Sequence, residues 1–164
     1  MAGVHHCTEE ISFVTVAKIF QLTPTVKGFT LEASEDTAQK LNFLAGQWVN
    51  LHIPGLKEIT GYSMYSAPHT LQSEKTFNLA VKFSDYPLTK WMHEQCKVGD
   101  KVGVKVGGNY YYDPSKDNSC LLLLAGGVGI NPIMSILDET LNYDPNRSIC
   151  LLQSALSQNE LQFK

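Results

Sequence analysis

The sequence predicts a β domain, barrel or sandwich, followed by a shorter α/β unit. Three observations carry that expectation. Six short runs with apolar or alternating patterning lie between residues 11 and 106, separated by turn residues. The polar stretch Asp113-Pro114-Ser115-Lys116-Asp117-Asn118 then interrupts the pattern. Beyond it, Cys120–Ala125 is continuously apolar and runs straight into Gly126-Gly127-Val128-Gly129, as a strand buried on both faces of a parallel sheet would.

The first strand is expected over Ile11–Leu22, rich in β-branched residues and broken by Thr23-Pro24-Thr25. Val26–Ala33, Trp48–Ile53, Ile59–Ser66 and Phe77–Phe83 follow, and Val102, Val104 and Val106 alternate in the sixth. One segment departs from this period: Leu88, Trp91, Met92 and Cys96 recur at helical spacing after Pro87 and before Gly99. The expectation is an antiparallel barrel over Ile11–Asn109 with a single helix between its fifth and sixth strands. In the α/β unit, Asn131 and Pro132 stand where an N-cap and a first helical residue belong. Ile133, Ile136, Leu137 and Leu141 form the apolar stripe, Tyr143-Asp144-Pro145-Asn146 ends the helix, and Ile149–Leu152 is a second buried strand. Cys120 and Cys150, at the starts of apolar runs, are expected to fill small core spaces.

Two parallel strands cannot make a covered sheet alone. The α/β unit is therefore expected to be the first part of a truncated nucleotide domain, or to lean on the barrel. The expected division is residues 8–114 and 118–164.

Composition narrows the function. A chain of 164 residues can bury a core, and its 43% apolar and 18% charged residues are those of a globular domain. Thirteen basic against sixteen acidic residues give a net charge of −3, a poor basis for binding nucleic acid or anionic lipid. No apolar run reaches a membrane span of about 18 residues. Cys7, Cys96, Cys120 and Cys150 form no CxxC pair, which argues for reduced thiols. With no signal segment visible, an intracellular setting, cytoplasmic or mitochondrial, is expected. His5, His6 and Cys7 read as a loose terminus rather than metal ligands. No GxSxG, HExxH or P-loop is present. Asp138 and Glu139 are adjacent and point apart on a helix, His93 reads as a surface residue, and His52, alternating with Leu51 and Ile53, faces solvent or a cleft.

The glycine loop is the strongest chemical feature. Glycines admit a close ligand, and free N–H groups at a helix start favour an anion such as phosphate. The spacing G-G-x-G is not the dinucleotide fingerprint G-x-G-x-x-G, and the second strand ends in Gln153 and Ser154 rather than an acid. Tight strand-to-helix packing would explain the same glycines.

Five motifs in order then resemble the ferredoxin–NADP reductase superfamily, and within it the oxidoreductase NAD-binding domain-containing group. Phe43-Leu44-Ala45-Gly46-Gln47-Trp48-Val49 is similar to the family's entry to a barrel strand. Thr60-Gly61-Tyr62-Ser63-Met64-Tyr65-Ser66 falls where R-x-Y-S meets the flavin. Thr89 opens the short helix near the flavin diphosphate, and Val98-Gly99-Asp100-Lys101-Val102 is like the family's PGD turn. Ala125-Gly126-Gly127-Val128-Gly129-Ile130-Asn131-Pro132 resembles the nicotinamide-dinucleotide loop AGGxGITP.

The resemblance implies a six-stranded antiparallel Greek-key barrel that binds FAD or FMN, followed by an incomplete Rossmann-like domain that binds NAD(P)H. It implies hydride transfer to the flavin and on to a separate, unknown acceptor. Tyr62 would stack on the flavin, Ser63 would hydrogen-bond near N5 as the catalytic candidate, and Val81 and Lys82 would lie along the ring. Thr89 would approach the diphosphate. Gly126, Gly127, Val128, Gly129, Ile130, Asn131 and Pro132 would hold the dinucleotide. The sequence departs from the family at Thr60, where an arginine is usual, and at Leu156, where another is frequent. Those departures keep open a second reading, a non-catalytic flavin- or nucleotide-binding or interaction domain.

Overall fold

Alternation along Ser12–Thr23 places Val14 and Val16 inward and makes this segment the first strand, β1. A computed structural model describes residues 10–164, so the His5-His6-Cys7 reading lies outside the described residues. The remaining barrel strands are β2 (Val26–Glu32), β3 (Trp48–His52), β4 (Thr60–Ser63), β5 (Thr76–Lys82) and β6 (Lys101–Gly107). They pair antiparallel in the order β4-β3-β6-β1-β2-β5. A bridge between Met64 and Leu79 joins the β4 end to the β5 end and closes the barrel. The interior is filled by Val16, Phe29, Leu31, Leu51, Phe77, Leu79 and Val104, all at most 1% exposed.

Three helices rather than one decorate the barrel. The expected one is α3 (Pro87–Glu94), which ends five residues before Gly99 and buries Leu88, Thr89 and Met92. Two were not expected: α1 (Glu35–Lys40) and α2 (Pro68–Glu74), in chain order the first and second helices. Ser34 caps α1 by accepting the Thr37 N–H, with Glu35 and Asp36 in the first turn. Pro68 opens α2, and Lys75 ends it in the left-handed region. Each buries a single side chain, so neither leaves a periodic apolar stripe in the sequence.

Trp48 rests on a glycine platform. An alanine methyl at Gly107 would lie 2.6 Å from the indole, and one at Gly108 also 2.6 Å. Gly107→Ala is therefore expected to destabilise the barrel by about 1–3 kcal/mol through overpacking. A lower urea midpoint with a shifted tryptophan emission checks it; an unchanged midpoint would show that the indole simply swings away.

Beyond the barrel, β7 (Leu121–Gly126) and β8 (Ile149–Ser154) pair in parallel, joined through α4 (Ile130–Tyr143). The prediction of strands buried on both faces is corrected. Helix α4 covers one face, but Leu122, Leu124 and Leu152 on the other are 56–62% exposed. Cys120 and Cys150 are exposed as well, not core fillers. Sequence alone expected these runs to be covered twice; among the described residues a helix covers them once. Helix α4 leans on the barrel through Ile130, Ile133 and Ile136, which pack with Ala45 and Leu123. Arg147, the chain's sole arginine, ties the segment between the two units to the turn after α4 by donating to the Tyr112 hydroxyl and the Asp117 carbonyl.

Candidate functional site

The helix start differs in register from the sequence expectation. A single 3-10 turn over Gly127–Gly129 precedes α4, so Gly129 is its N-cap and Asn131 and Pro132 are its second and third residues. Asn131 is 4% exposed and donates its Nδ2 to the Ala80 carbonyl of β5 at 2.8 Å. It pins the loop to the strand that the resemblance assigns to the flavin. Two further ties hold α4 to the barrel. The Gly46 N–H donates to Ser135 Oγ, and His69 Nδ1 lies 2.9 Å from Glu139 Oε2.

The loop itself is open. Gly127 has φ +51°, and no atom lies within 4 Å of where a Cβ would stand at Gly127 or Gly129. A close-approaching anion fits that space: the backbone offers N–H groups at the start of a 14-residue helix with no acidic side chain in its first turn. A cleft of about 260 Å³ adjoins the loop. Gly127 and Val128 form one side, Ser154, Ala155 and Leu156 the end of β8, and Val26 and Lys82 the barrel wall; Glu160 and Gln162 complete it. It opens at the carboxyl ends of two parallel strands, where α/β sheets take their ligands.

On the barrel, β4 and α3 bring Tyr62 and Thr89 together, their hydroxyls 2.8 Å apart. Burial pushes the Tyr62 phenol up, against the opposing effect of the Thr89 hydrogen bond. Ser63 is half-buried opposite Trp48. Val81 is buried, and its carbonyl contacts His93 Nε2 at 2.8 Å. His93 is thus half-buried rather than a surface residue, and burial lowers its pKa against the pull of that carbonyl. Lys82 is exposed on the cleft wall. The Tyr62 and Thr89 hydroxyls bond each other, and Thr60, on the same strand as Tyr62, carries no charge.

Two cleft residues escaped the sequence reading. Glu160 comes back to the barrel on a 3-10 turn, where both Thr23 and Thr25 donate hydroxyls to its Oε2, at 2.9 and 2.7 Å. Gln162 is 2% exposed, and its Oε1 has no hydrogen-bond partner among the described residues. A search for an acid at the end of the second strand passes over one delivered six residues later.

An antiparallel barrel closed next to a strand–glycine loop–helix–strand unit is the architecture of ferredoxin–NADP reductase-like proteins, and the chain has that fold. The sequence is similar to oxidoreductase NAD-binding domain-containing protein 1. It is 40% identical to the Danio rerio protein, over 99% of this chain and 63% of the relative, and 36% identical to the Homo sapiens protein, over 95% and 53%. The chain thus spans between half and two thirds of these relatives' length. No family model matches it. Among solved structures, Amycolatopsis cytochrome P450 reductase GcoB superposes with a TM-score of 0.81 at 22% identity, covering 98% of this chain and 47% of that one. Phthalate dioxygenase reductase superposes at 0.76 with 20% identity, covering 94% and 47%. At those identities the superpositions speak for the fold alone. Among the described residues no helix is long and apolar enough to cross a membrane.

Proposed function

We propose that the chain supplies the flavin-binding barrel, residues 8–114, and the first part of the NAD(P)-binding domain, residues 118–164, of an NAD(P)H-dependent flavin oxidoreductase. The observation that carries this reading is the cleft in which Lys82, next to Val81, faces the open loop Gly127-Val128. A flavin strand and a phosphate loop share one cavity wall to wall. Bound flavin, FAD or FMN, supplies hydride acceptance at N5 and electron delivery to a separate acceptor. The protein's part is binding and orientation. Tyr62 offers a ring face, Ser63 a hydroxyl near the reacting atom, and Thr89 a hydroxyl toward the diphosphate. Gly126, Gly127, Gly129 and Asn131 offer backbone N–H groups to the dinucleotide, while Ile130, whose N–H is taken by the Gly127 and Val128 carbonyls, and Pro132, which has none, offer shape.

Thr60 favours the second reading, a binder without turnover, because a neutral side chain holds a diphosphate less well than a guanidinium. Thr60→Arg is therefore expected to tighten flavin binding by about 1.5–3 kcal/mol, the scale of a hydrogen bond to a charged group. The test is titration of FAD and FMN followed by flavin absorbance, then anaerobic addition of NADH or NADPH. Because the chain carries only the first part of the nucleotide domain, it is expected to take up flavin with little bleaching. Bleaching by a chain extended through the rest of that domain supports the oxidoreductase, none by the extended chain supports the binder, and no flavin uptake by either protein sinks the flavin reading.

A further inference from the structure

A second cavity, of about 400 Å³, opens between helix α4 and the chain that leaves β4, and none of the residues proposed to hold flavin or dinucleotide lines it. One wall is Met134, Leu137 and Leu141, which share a face of α4 by their spacing. Another wall is aromatic: the Tyr65 and Phe163 rings lie 4.8 Å apart, centroid to centroid, tilted by 50°. Aliphatic side chains, a thioether and aromatic rings around one space suit a flat apolar ring. The polar atoms between the walls are mainly donors without an acceptor. The Tyr65 hydroxyl has no hydrogen-bond partner among the described residues, and burial pushes its pKa up to about 12, so it keeps its proton. Ser66, 5% exposed, accepts the Asn78 N–H at 2.8 Å and keeps its own hydrogen free. Asn78 accepts from Thr30 through Oδ1, which leaves its Nδ2 hydrogens unpaired. The one charged lining residue is Asp138, with its carboxylate half exposed and 3.7 Å from His69 Nε2.

We propose that this cavity is a second binding site, which takes a neutral, flat aromatic compound bearing carbonyl oxygens, a small quinone by chemical class. The ring lies against Tyr65 and the α4 stripe, and a carbonyl oxygen accepts from the hydroxyl and amide hydrogens that the protein leaves unpaired. A ligand that only donates, such as an ammonium, would satisfy Asp138 and leave the donors of Tyr65, Ser66 and Asn78 without partners. A carboxylate could accept from those donors but would meet the charge of Asp138. The site needs neither flavin nor dinucleotide to form.

The experiment titrates the chain, free of flavin and nucleotide, with tetramethyl-1,4-benzoquinone. Its fully substituted ring offers no open position to the exposed thiols of Cys120 and Cys150. Amide NMR shifts follow binding, with the Asn78 side-chain signals as the local reporter. Tyr65→Phe keeps the ring and removes the donor, and is expected to weaken binding about tenfold, the scale of one hydrogen bond. Leu141→Trp, at a wall position that is 40% exposed, is expected to fill the cavity and abolish binding. Tetramethylbenzoate, the same ring with a carboxylate, is expected to bind about tenfold more weakly than the quinone, and to recover in Asp138→Asn. The variants and the benzoate are independent, so one variant that fails to fold by circular dichroism leaves the others decisive. No quinone binding by the unaltered chain overturns the proposal. So does undiminished binding in folded Tyr65→Phe or folded Leu141→Trp, or benzoate binding as tight as that of the quinone. The flavin and nucleotide readings stand in each case.

Discussion

Leu79→Ala is expected to cost about 3–5 kcal/mol and to bring the domain close to unfolding at room temperature. Leu79 is 0% exposed, pairs with Phe29 on β2, and makes the bridge to Met64 that closes the barrel. Truncating it removes buried apolar surface and opens a cavity at the one seam held by an isolated bridge. Neighbouring backbone cannot collapse into that space without breaking the closure, which places the cost at the upper part of the range. Leu122→Ala is the control: its side chain is 62% exposed on the open face of β7, and the change is expected to stay within about 0.5 kcal/mol. Urea denaturation of both variants checks the contrast. Equal small losses would mean that the seam does not hold the barrel.

The barrel was legible in the sequence because its strands are half-buried, and the period of two survives in residues such as Val102, Val104 and Val106. The same physics concealed α1 and α2. A helix of six or seven residues that buries only Ala38 or Leu71 has no stripe to read, and only the Ser34 cap with Glu35 and Asp36 announces α1. In β7 the apolar run marks a strand, but composition does not tell one covered face from two. Leu122 and Leu123 are alike in sequence and opposite in exposure. The site divides in the same way. The loop Gly126–Gly129 is contiguous and visible, as is the Tyr62-Ser63 motif. The Asn131 bond to Ala80, the His93 contact with Val81 and the return of Glu160 to Thr23 and Thr25 join residues 12 to 137 positions apart, and a single sequence carries no trace of such pairings.

The largest functional effect is expected from one atom group added at Gly127. Its φ of +51° is a conformation that Asn and Asp adopt at modest cost, and a Cβ there meets nothing within 4 Å. Gly127→Asp should therefore fold with a melting temperature near that of the unaltered protein, while placing a carboxylate at the mouth of the loop. A dinucleotide diphosphate approaching those N–H groups would face a like charge at contact distance instead of open space, and nucleotide affinity is expected to fall by about 100-fold or more. Gly127→Asn separates the causes. It has the same shape, tolerates the same backbone angle and carries no charge, so it reports the steric part alone and is expected to lose far less. NADH fluorescence titration of the three proteins, with melting curves alongside, makes the comparison. If the aspartate variant melts normally and binds as tightly as the unaltered chain, the diphosphate does not lie over this loop, and the glycines serve only the turn from β7 into α4.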